Sequence, residues 1–389
     1  MAGYSRCVNE VFRLGDSGPA VAQIVGLLER IGLLGGEDDH SQDSELRYDQ
    51  RVELAVRDFQ QQRGLTVDGV VGSLTFRRLN EACWRLGDRI LTHLPGSLMA
   101  GDDVYTLQRR LLDLGFRVGR VDGYFGAETE AGVREFQRNF GLPPDGTCGP
   151  ATLKALTRLS PMVRGGAPNA LRAQERIRDA GPHLGGKIVV IDVGRGHNLP
   201  DGLAETSDAI LHDLAQRVEG RLVATGVQAF LTTPRWAVPG EESERAAFAN
   251  RTGADLFVSL ALDASANADA SGVSTYFFGD VNHDTWSSVG ERFAGLVQRE
   301  IVARTDLVDL RWHPKTWDIL RHTRMPAIRL DAGYVSNAGD AERLADPAFR
   351  DLLAEAVVVS VQRFYLSPDD DAHTGVLQVS EIRDSFQAT

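Results

Sequence analysis

The sequence contains few cysteines, and they are far apart. Its 3 cysteines are Cys7, Cys83 and Cys148, and no two of them form a Cys-x-x-Cys pair. An odd and widely spaced set argues against a disulfide framework and against a thiolate zinc site. Cysteines that stay reduced are typical of the cytoplasm, so we expect a cytoplasmic location.

Long apolar runs and an excess of positive charge are also missing. No run approaches the roughly 20 residues that a membrane-spanning helix needs. The first residues lack the apolar stretch and the small-residue cleavage site of an export signal. The formal net charge is -12, from 42 basic and 54 acidic side chains. Such a surface repels phosphate backbones and anionic lipids, which disfavours nucleic acid and membrane surfaces as partners.

An internal repeat organises the N-terminal part of the chain. The segment Val56-Arg57-Asp58-Phe59-Gln60 recurs 77 residues later as Val133-Arg134-Glu135-Phe136-Gln137. Upstream, Leu28 and Leu111 are 83 residues apart, so the first copy carries an insertion near residues 37–45. Apolar residues recur at spacings of three and four in each copy, which predicts three short helices per copy.

The pattern changes after Leu184 to strands that alternate with helices. Strands are predicted at 188–192, 228–232, 256–262, 274–278 and 327–330, and helices at 207–224, 242–250, 286–304 and 347–364. This alternation predicts an α/β domain with a mostly parallel twisted sheet. We therefore expect a multidomain chain, with small modules at 11–84 and 90–160, a linker at 161–184, the α/β domain at 185–366 and an acidic, disordered tail at 367–389.

Both copies of the repeat carry a fixed pattern of glycines, aspartates and apolar residues. The second copy has Gly101-Asp102-Asp103-Val104, then the turn Asp122-Gly123-Tyr124-Phe125-Gly126, then Thr129. The first copy lacks this Asp-Gly-x-Phe-Gly turn and has Leu46-Arg47-Tyr48-Asp49 there. The pattern resembles the peptidoglycan-binding domain 1 family, which implies three-helix modules that bind peptidoglycan. The alternative is that both copies are scaffolding modules that no longer bind glycan.

Three segments of the α/β domain carry a second known pattern. They are 191–196, 254–260 and 325–337, the last reading Met-Pro-Ala-Ile-Arg-Leu-Asp-Ala-Gly-Tyr-Val-Ser-Asn. Over about residues 186–365 they resemble the zinc-dependent N-acetylmuramoyl-L-alanine amidases of type 3. That resemblance implies a catalytic zinc held by two histidines and a glutamate, with a further glutamate that handles a proton.

The chain differs from that family at all four catalytic positions. The three zinc ligands fall on Arg195, Ser207 and Ala261, and the catalytic glutamate falls on Asp331. A guanidinium has no lone pair for a metal, and alanine has no ligand atom. The resemblance therefore implies a non-catalytic relative of the amidases, without metal or cofactor. Arg195 is expected either to fill the place of zinc against Asp331 or to be an exposed arginine that contacts a partner.

A displaced zinc site is the alternative. His197 and Glu205 each lie two residues from a lost ligand position, and His283 follows a predicted strand. Such a site needs remodelled loops, because Ala261 still supplies no ligand. On this alternative the chain is a zinc-dependent amidase that cuts the bond between muramic acid and L-alanine.

The tail contains a threonine in a setting typical of phosphorylation. Thr374 follows Asp369-Asp370-Asp371 and precedes Val376-Leu377, a sequence that an acid-tolerant Ser/Thr kinase accepts. A phosphate there adds about -1.5 to -2 charges and forms an anchor for a forkhead-associated phosphothreonine reader. Ser380 and Thr389 are the alternative acceptors.

The whole arrangement resembles an actinobacterial family of cell-wall regulators. This implies a cytoplasmic protein that reaches the membrane only through partners and that a PknB-type Ser/Thr kinase phosphorylates on the tail. It further implies that the phosphorylated form activates MurA, the UDP-N-acetylglucosamine enolpyruvyl transferase. The unphosphorylated form is expected to associate with the lipid II flippase MurJ, and a peptidoglycan precursor is a further expected ligand. A third interpretation is a wall-binding scaffold with no regulatory role.

Overall fold

The computed structural model describes most of the chain before the tail. It covers residues 11–35, 47–159, 175, 177, 179–194, 199, 201–233, 239–283 and 285–366. Cys7, Arg195, His197 and the predicted tail with Thr374 lie outside the described residues. The chain divides near Asn169 into two compact units, each of which has its own structure.

The N-terminal unit contains two modules of three helices each. The first has α1 (Pro19–Arg30), α2 (Gln50–Gln62) and α3 (Ser73–Ala82), and the second has α4 (Asp102–Asp113), α5 (Ala127–Asn139) and α6 (Pro150–Thr157). Each module has its own buried core, which includes Phe59 in the first and Phe136 in the second. The prediction of two three-helix modules is confirmed.

The local sequence explains where several of these helices begin and end. The Asp49 side chain accepts a hydrogen bond from the Val52 N–H (3.0 Å) at the start of α2. Pro19 and Pro150 occupy the first turns of α1 and α6, where a missing N–H costs no hydrogen bond. Gly115 follows α4 with φ of 88°, a conformation that suits glycine at a helix end.

A buried glutamine closes an Asp-Gly turn in both modules. The Gln137 amide nitrogen donates to Asp145 Oδ1 (2.7 Å) and Thr152 Oγ1 (3.0 Å), and its oxygen accepts from the Gly146 N–H (2.9 Å). We call this arrangement the glutamine–turn motif. Its three copies are Gln60 with Asp68-Gly69 and Thr75, Gln108 with Asp122-Gly123 and Thr129, and Gln137 with Asp145-Gly146 and Thr152.

Among the described residues, the first module has one glutamine–turn motif, whereas the second has two. The 83-residue offset of the repeat places Val25 where Gln108 stands, and Val25 is buried in the apolar core. In the first module the buried Tyr48 hydroxyl donates to the Gly69 carbonyl (2.7 Å). A tyrosine therefore supports the remaining turn of this module.

The C-terminal unit is an α/β domain built on one mixed sheet. The strands are β1 (Ile188–Val193), β2 (Gln228–Leu231), β3 (Leu256–Asp263), β4 (Val273–Asp280), β5 (Thr285–Trp286), β6 (Asp309–Lys315) and β7 (Ala327–Tyr334). The helices are α7 (Asp201–Ala224), α8 (Glu242–Thr252), α9 (Ser288–Arg304), α10 (Asp318–Arg321), α11 (Ala338–Ala345) and α12 (Pro347–Tyr365).

The strand order explains how the sheet combines parallel and antiparallel pairs. The order is β2-β1-β3-β7-β4-β5, and β6 also pairs with β4. Strands β2, β1, β3 and β7 are parallel, β4 is antiparallel to β7, and β6 is parallel to β4. The predicted α/β fold is confirmed, with β4 and β6 running against the other strands.

The two faces of the central strands differ in polarity. Leu260 and Leu330 belong to the main apolar core, together with Phe293 of α9 and Val357 of α12. Successive side chains of a strand point to opposite faces. The polar residues between these apolar ones, such as Ser259 and Arg329, therefore face the other side of the sheet.

Strand β6 is absent from the strands that the sequence pattern predicts. It reads Asp-Leu-Arg-Trp-His-Pro-Lys, so it carries three basic residues and a proline. Charged residues and proline are typical of edge strands, and among the described strands β6 pairs only with β4. An edge strand needs no apolar run, which explains why apolar patterning misses it.

We expect the substitution Arg311→Gly to stabilise the α/β domain. Arg311 has φ of 65°, and no other non-glycine residue of the described part of the chain has a positive φ. A side chain in this conformation destabilises the fold by about 1–2 kcal/mol. Glycine removes this strain, but it loses more conformational freedom on folding, so only part of the free energy is recovered. Urea unfolding should therefore show a gain of up to about 1 kcal/mol in the free energy of unfolding.

The control for this prediction is His313→Gly on the same strand. His313 has no positive φ, so glycine there should lower the free energy of unfolding by about 0.5–1 kcal/mol. A loss of stability in both variants would contradict the assignment of strain to Arg311.

Two of the three cysteines lie in the described part of the chain. Cys83 and Cys148 are free and buried, and burial raises the pKa of the Cys148 thiol to about 12. A buried thiol of this kind is chemically inert at neutral pH. Within the described part of the chain, no helix is both long enough and apolar enough to cross a membrane.

Candidate functional site

Five polar residues lie side by side across one face of the sheet. The strand register pairs Asp192 with Ser259, Ser259 with Arg329, Arg329 with Tyr276, and Tyr276 with His313. Residues paired on neighbouring strands point to the same face. We call these five residues the polar row. It lies on the face opposite the main apolar core, so its buried charges need partners within the domain.

Asp192 holds one end of the polar row. It is fully buried and accepts hydrogen bonds from Ser259 Oγ (2.6 Å) and Thr232 Oγ1 (2.5 Å). Arg245 of α8 forms an ion pair with the same carboxylate through Nη1. An ion pair with further hydrogen bonds offsets the cost of burying the charge. Asp192 therefore connects β1, β3 and α8, and its role is structural.

Arg329 lies at the centre of the polar row and joins three elements. Its Nε donates to Asp331 Oδ1 (2.7 Å), and its Nη1 lies 3.9 Å from Glu242 Oε1 of α8. The guanidinium carbon lies 4.7 Å from the centre of the Trp317 ring, within the range of a cation–π contact. Arg329 is 1% exposed, so water contributes little to its solvation. Carboxylates and an aromatic ring stabilise the charge instead.

Burial changes the acidity of the groups around Arg329. Burial raises the pKa of Glu242, although the charge of Arg329 opposes this shift. Burial and the charge of Asp331 raise the pKa of Asp263, and the same two causes raise the pKa of Tyr276. Glu242 and Asp263 therefore keep their protons to higher pH than free carboxylic acids do.

The structure brings together only part of the predicted site. Ala261 and Asp331 are paired in the register of β3 and β7. Ser207 lies on α7 and is fully buried, and its Oγ has no hydrogen-bond partner among the described residues. Arg195 follows β1 but lies outside the described residues, as does the predicted phosphorylation site Thr374. These two assignments stay predictions.

A guanidinium does pair with Asp331, but it belongs to a residue that the sequence analysis did not select. One of the two expectations for Arg195 placed it against Asp331, and the structure shows Arg329 bonded to Asp331 at 2.7 Å. Asp331 and Arg329 are two residues apart on one strand, so both point to the same face. The signal in the sequence is an arginine within the otherwise apolar strand Ala-Ile-Arg-Leu, which needs a buried acidic partner.

The described residues at the family's ligand positions do not fit a zinc ion. Ser207 and Ala261 replace a carboxylate and an imidazole, and Asp331 is bonded to Arg329. Among the described residues, no group of three or more His, Cys, Asp or Glu could hold a metal ion. Glu205 of the alternative displaced site is exposed on α7, and His197 lies outside the description. Ion pairing and hydrogen bonding are the interactions that the described centre supports.

Comparisons with protein families match both parts of the chain. Residues 189–363 match the family described as N-acetylmuramoyl-L-alanine amidase. Residues 17–79 and 100–156 each match the putative peptidoglycan binding domain. The first match covers the sheet with the polar row, and the other two cover the helical modules.

Individual relatives agree with these family matches. The chain is 43% identical to the N-acetylmuramoyl-L-alanine amidase CwlM of Mycobacterium tuberculosis, over 96% of this chain and 94% of that protein. It is 25% identical to the amidase LytC of Bacillus subtilis, over 46% of this chain and 36% of LytC. The solved catalytic domain of the amidase CwlV from Bacillus (Paenibacillus) polymyxa is 26% identical, with a TM-score of 0.40, and covers 45% of this chain and 96% of that domain.

The prediction of a non-catalytic protein is wrong by these comparisons. The relative that matches almost the whole chain is named an amidase, and the α/β domain is an amidase domain. The prediction rested on Arg195, Ser207 and Ala261, which are the positions of the family's metal ligands. Comparing one position at a time does not detect a catalytic group that another part of the chain supplies.

The match to the amidase CwlM, at 43% identity, covers nearly the full length of both proteins. This chain belongs to the N-acetylmuramoyl-L-alanine amidase family.

Proposed function

We propose that this amidase-family chain also controls the supply of peptidoglycan precursors. The observation that carries the proposal is a changed centre within a retained architecture. The chain keeps two peptidoglycan-binding modules and the amidase fold, while Ser207, Ala261 and the Arg329–Asp331 pair stand at its centre. Such changes alter what the domain recognises, which favours a role in addition to hydrolysis.

The proposed control acts through the tail. A PknB-type Ser/Thr kinase phosphorylates Thr374, and the phosphorylated chain then activates MurA in the cytoplasm. A forkhead-associated reader binds the phosphothreonine, and the unphosphorylated chain associates with the flippase MurJ. The acidic residues before Thr374 and the apolar Val376-Leu377 after it support this assignment.

The test compares MurA turnover with the phosphorylated chain, the unphosphorylated chain and three single variants of the tail. Phosphorylated chain should raise the kcat/KM of MurA several-fold, and Thr374→Ala should abolish the increase. Ser380→Ala and Thr389→Ala are matched controls in the same tail and should leave it intact. Equal turnover with phosphorylated and unphosphorylated chain would refute the proposal.

Hydrolysis of the bond between muramic acid and L-alanine is the second candidate. It is favoured by the name of the relative that matches over 96% of the chain. Zinc, if bound, would supply an activated water, and His197 is the residue proposed to hold it at a displaced site. The described residues alone do not fit the ion, so His197 is essential to this candidate.

Metal content and turnover on a muropeptide test the second candidate together. It requires about one zinc ion per chain, as catalytic zinc sites hold. His197→Ala should remove both the zinc and the turnover, whereas the exposed His183→Gln should change neither. Purified chain without zinc and without turnover would exclude a zinc amidase.

Glycan binding separates these proposals from a scaffold role. A wall-binding scaffold without regulation should bind peptidoglycan equally well with Thr374 or Thr374→Ala, and should leave MurA unchanged. Sedimentation with purified peptidoglycan gives the first measurement. Activation of MurA by the phosphorylated chain would exclude the scaffold interpretation.

A further inference from the structure

Strand β6 concentrates positive charge on an acidic protein. The chain has 42 basic against 54 acidic side chains, yet β6 carries Arg311, His313 and Lys315 within seven residues. Its one acidic residue is Asp309, whose Oδ1 accepts from Gln298 Nε2 (2.7 Å) and from the Arg311 N–H (2.8 Å). One carboxylate oxygen of Asp309 is therefore engaged within the fold.

The three basic side chains are positioned in different ways. Lys315 is half-buried, with its Nζ 5.5 Å from the centre of the Trp317 ring and 5.9 Å from that of Tyr276. His313 is exposed, and its Nε2 lies 2.6 Å from the Leu310 carbonyl oxygen. Two aromatic rings and a backbone contact thus restrict where these groups can move.

Arg311 combines strain with an unpaired charge. Its backbone has φ of 65°, its side chain is exposed, and no acidic side chain of the described residues forms an ion pair with it. A strained residue at a surface position often marks a functional constraint. Glycine would fit this backbone better than arginine does.

An exposed apolar residue precedes the basic residues of β6. Val308 immediately precedes β6, and 55% of it is exposed. Along the strand, the surface therefore runs from apolar Val308 through Arg311 and His313 to Lys315. We call these four residues the β6 surface. A matching ligand is acidic at one end and apolar at the other.

The tail of this chain has that composition in the opposite direction. It runs from Asp369-Asp370-Asp371 through Thr374 to Val376-Leu377. Laid antiparallel to β6, its aspartates face the Lys315 end and its apolar pair faces Val308. We propose that the tail, when phosphorylated on Thr374, binds along the β6 surface in this orientation. This inference rests on the phosphorylation that the proposed function assigns to Thr374.

The tail follows a helix that shares a neighbour with β6. It follows α12, whose Phe364 packs against Phe293 of α9 at 5.1 Å between ring centres. A Cβ on Gly295 of the same helix would lie 3.5 Å from the Trp312 ring of β6. Helix α9 therefore contacts both the end of α12 and β6. The residues from Leu366 to Thr374 span up to about 25 Å when extended, more than twice the roughly 10 Å width of a helix.

Binding of a synthetic peptide tests the proposal without a kinase or MurA. The peptide covers residues 367–380 with phosphothreonine at 374, and the receptor is full-length chain carrying Thr374→Ala. Calorimetry should show at least about tenfold tighter binding of the phosphorylated than of the unmodified peptide, because charge-assisted hydrogen bonds to phosphate are strong. Equal binding of the two peptides, or no binding, would overturn the proposal.

Variants then locate the site. Arg311→Gly, which suits the backbone, and His313→Gln should each weaken binding of the phosphopeptide by about tenfold, the scale of one charge-assisted contact. The matched control is Arg251→Gln, which removes an exposed arginine at the end of α8 and should leave affinity unchanged. Equal losses in all three variants would show that only general charge matters and would refute the site.

Hydrogen exchange in the intact chain gives an independent readout. Phosphorylated chain should exchange the amides of 309–315 several-fold more slowly than unphosphorylated chain. Protection confined to another part of the domain would contradict the proposal. Loss of MurA activation with retained peptide binding would refute the proposed function alone, so the two failures are distinguishable.

Discussion

Replacing Arg329 by leucine should lower the free energy of unfolding of the α/β domain by about 3–5 kcal/mol, the cost of removing one partner of a buried ion pair. Arg329 is 1% exposed and bonded to Asp331, which is 4% exposed. Without the guanidinium, the carboxyl groups of Asp331 and Glu242 lose their counterion from β7. Leucine fills the volume but offers no hydrogen bond.

Urea unfolding monitored by tryptophan fluorescence measures this loss, because Trp317 contacts the Arg329 guanidinium. The matched control is Arg343→Leu. Arg343 bonds Asp306 at 2.6 Å, and 33% and 70% of these two side chains are exposed, so water replaces the lost contact. Arg343 also lies 3.7 Å from the buried Asp340, which keeps hydrogen bonds from Ser271, Gly272 and Tyr334. The control should therefore be almost as stable as the parent. A similar small effect for Arg329→Leu would mean that Arg329 does not stabilise the polar row.

A second control tests the pairing itself. Combining Arg329→Leu with Asp331→Leu removes both charges and should recover part of the stability that the single variant loses, since an apolar pair can replace a buried ion pair. A double variant that is less stable than the sum of both single losses would contradict direct pairing.

Gln137→Leu should lower the free energy of unfolding of the second module by about 2–4 kcal/mol, because it leaves several buried polar groups without partners. Gln137 is 1% exposed and bonds Asp145, Thr152 and the Gly146 N–H. Leucine has nearly the same length but none of these donors and acceptors. Urea unfolding of the N-terminal unit, followed by the fluorescence of Trp84, provides the measurement.

The control makes the same exchange on an exposed helix surface. Gln62 is exposed at the end of α2, so Gln62→Leu should change the free energy of unfolding by less than about 0.5 kcal/mol. Gln108→Leu removes the other glutamine–turn motif of the second module and should resemble Gln137→Leu. Equal stability of the Gln62 and Gln137 variants would show that the motif does not stabilise the turn.

The helical modules are predictable from the sequence because their determinants are local. The offset of 77 residues aligns the second helix of both copies, and glycines and prolines define the helix ends. The extra motif at Gln108 is harder to find. Gln108 and Gln137 stand 14 and 8 residues before their aspartates, so no single spacing reveals both.

The α/β domain is predictable where its strands are apolar. Strands β1, β3 and β7 form apolar runs, whereas β6 is an edge strand with Arg311 and Pro314. The candidate centre is likewise predictable only in part. The family resemblance assigns Ala261 and Asp331 to one centre, but Arg329 and Glu242 meet only through the packing of α8 on the sheet. Contacts between distant segments leave no periodic signal in the sequence.

The glutamine–turn motif also has a consequence for synthesis on the ribosome. Its hydrogen bonds join residues 8 to 21 positions apart, whereas the Arg245–Asp192 bond of the α/β domain spans 53 positions. Chains with short-range contacts fold faster than chains that must first close long loops. Each module can therefore fold as soon as it leaves the exit tunnel, before translation reaches β7. The N-terminal modules should become protease-resistant on a stalled nascent chain that still lacks the amidase domain.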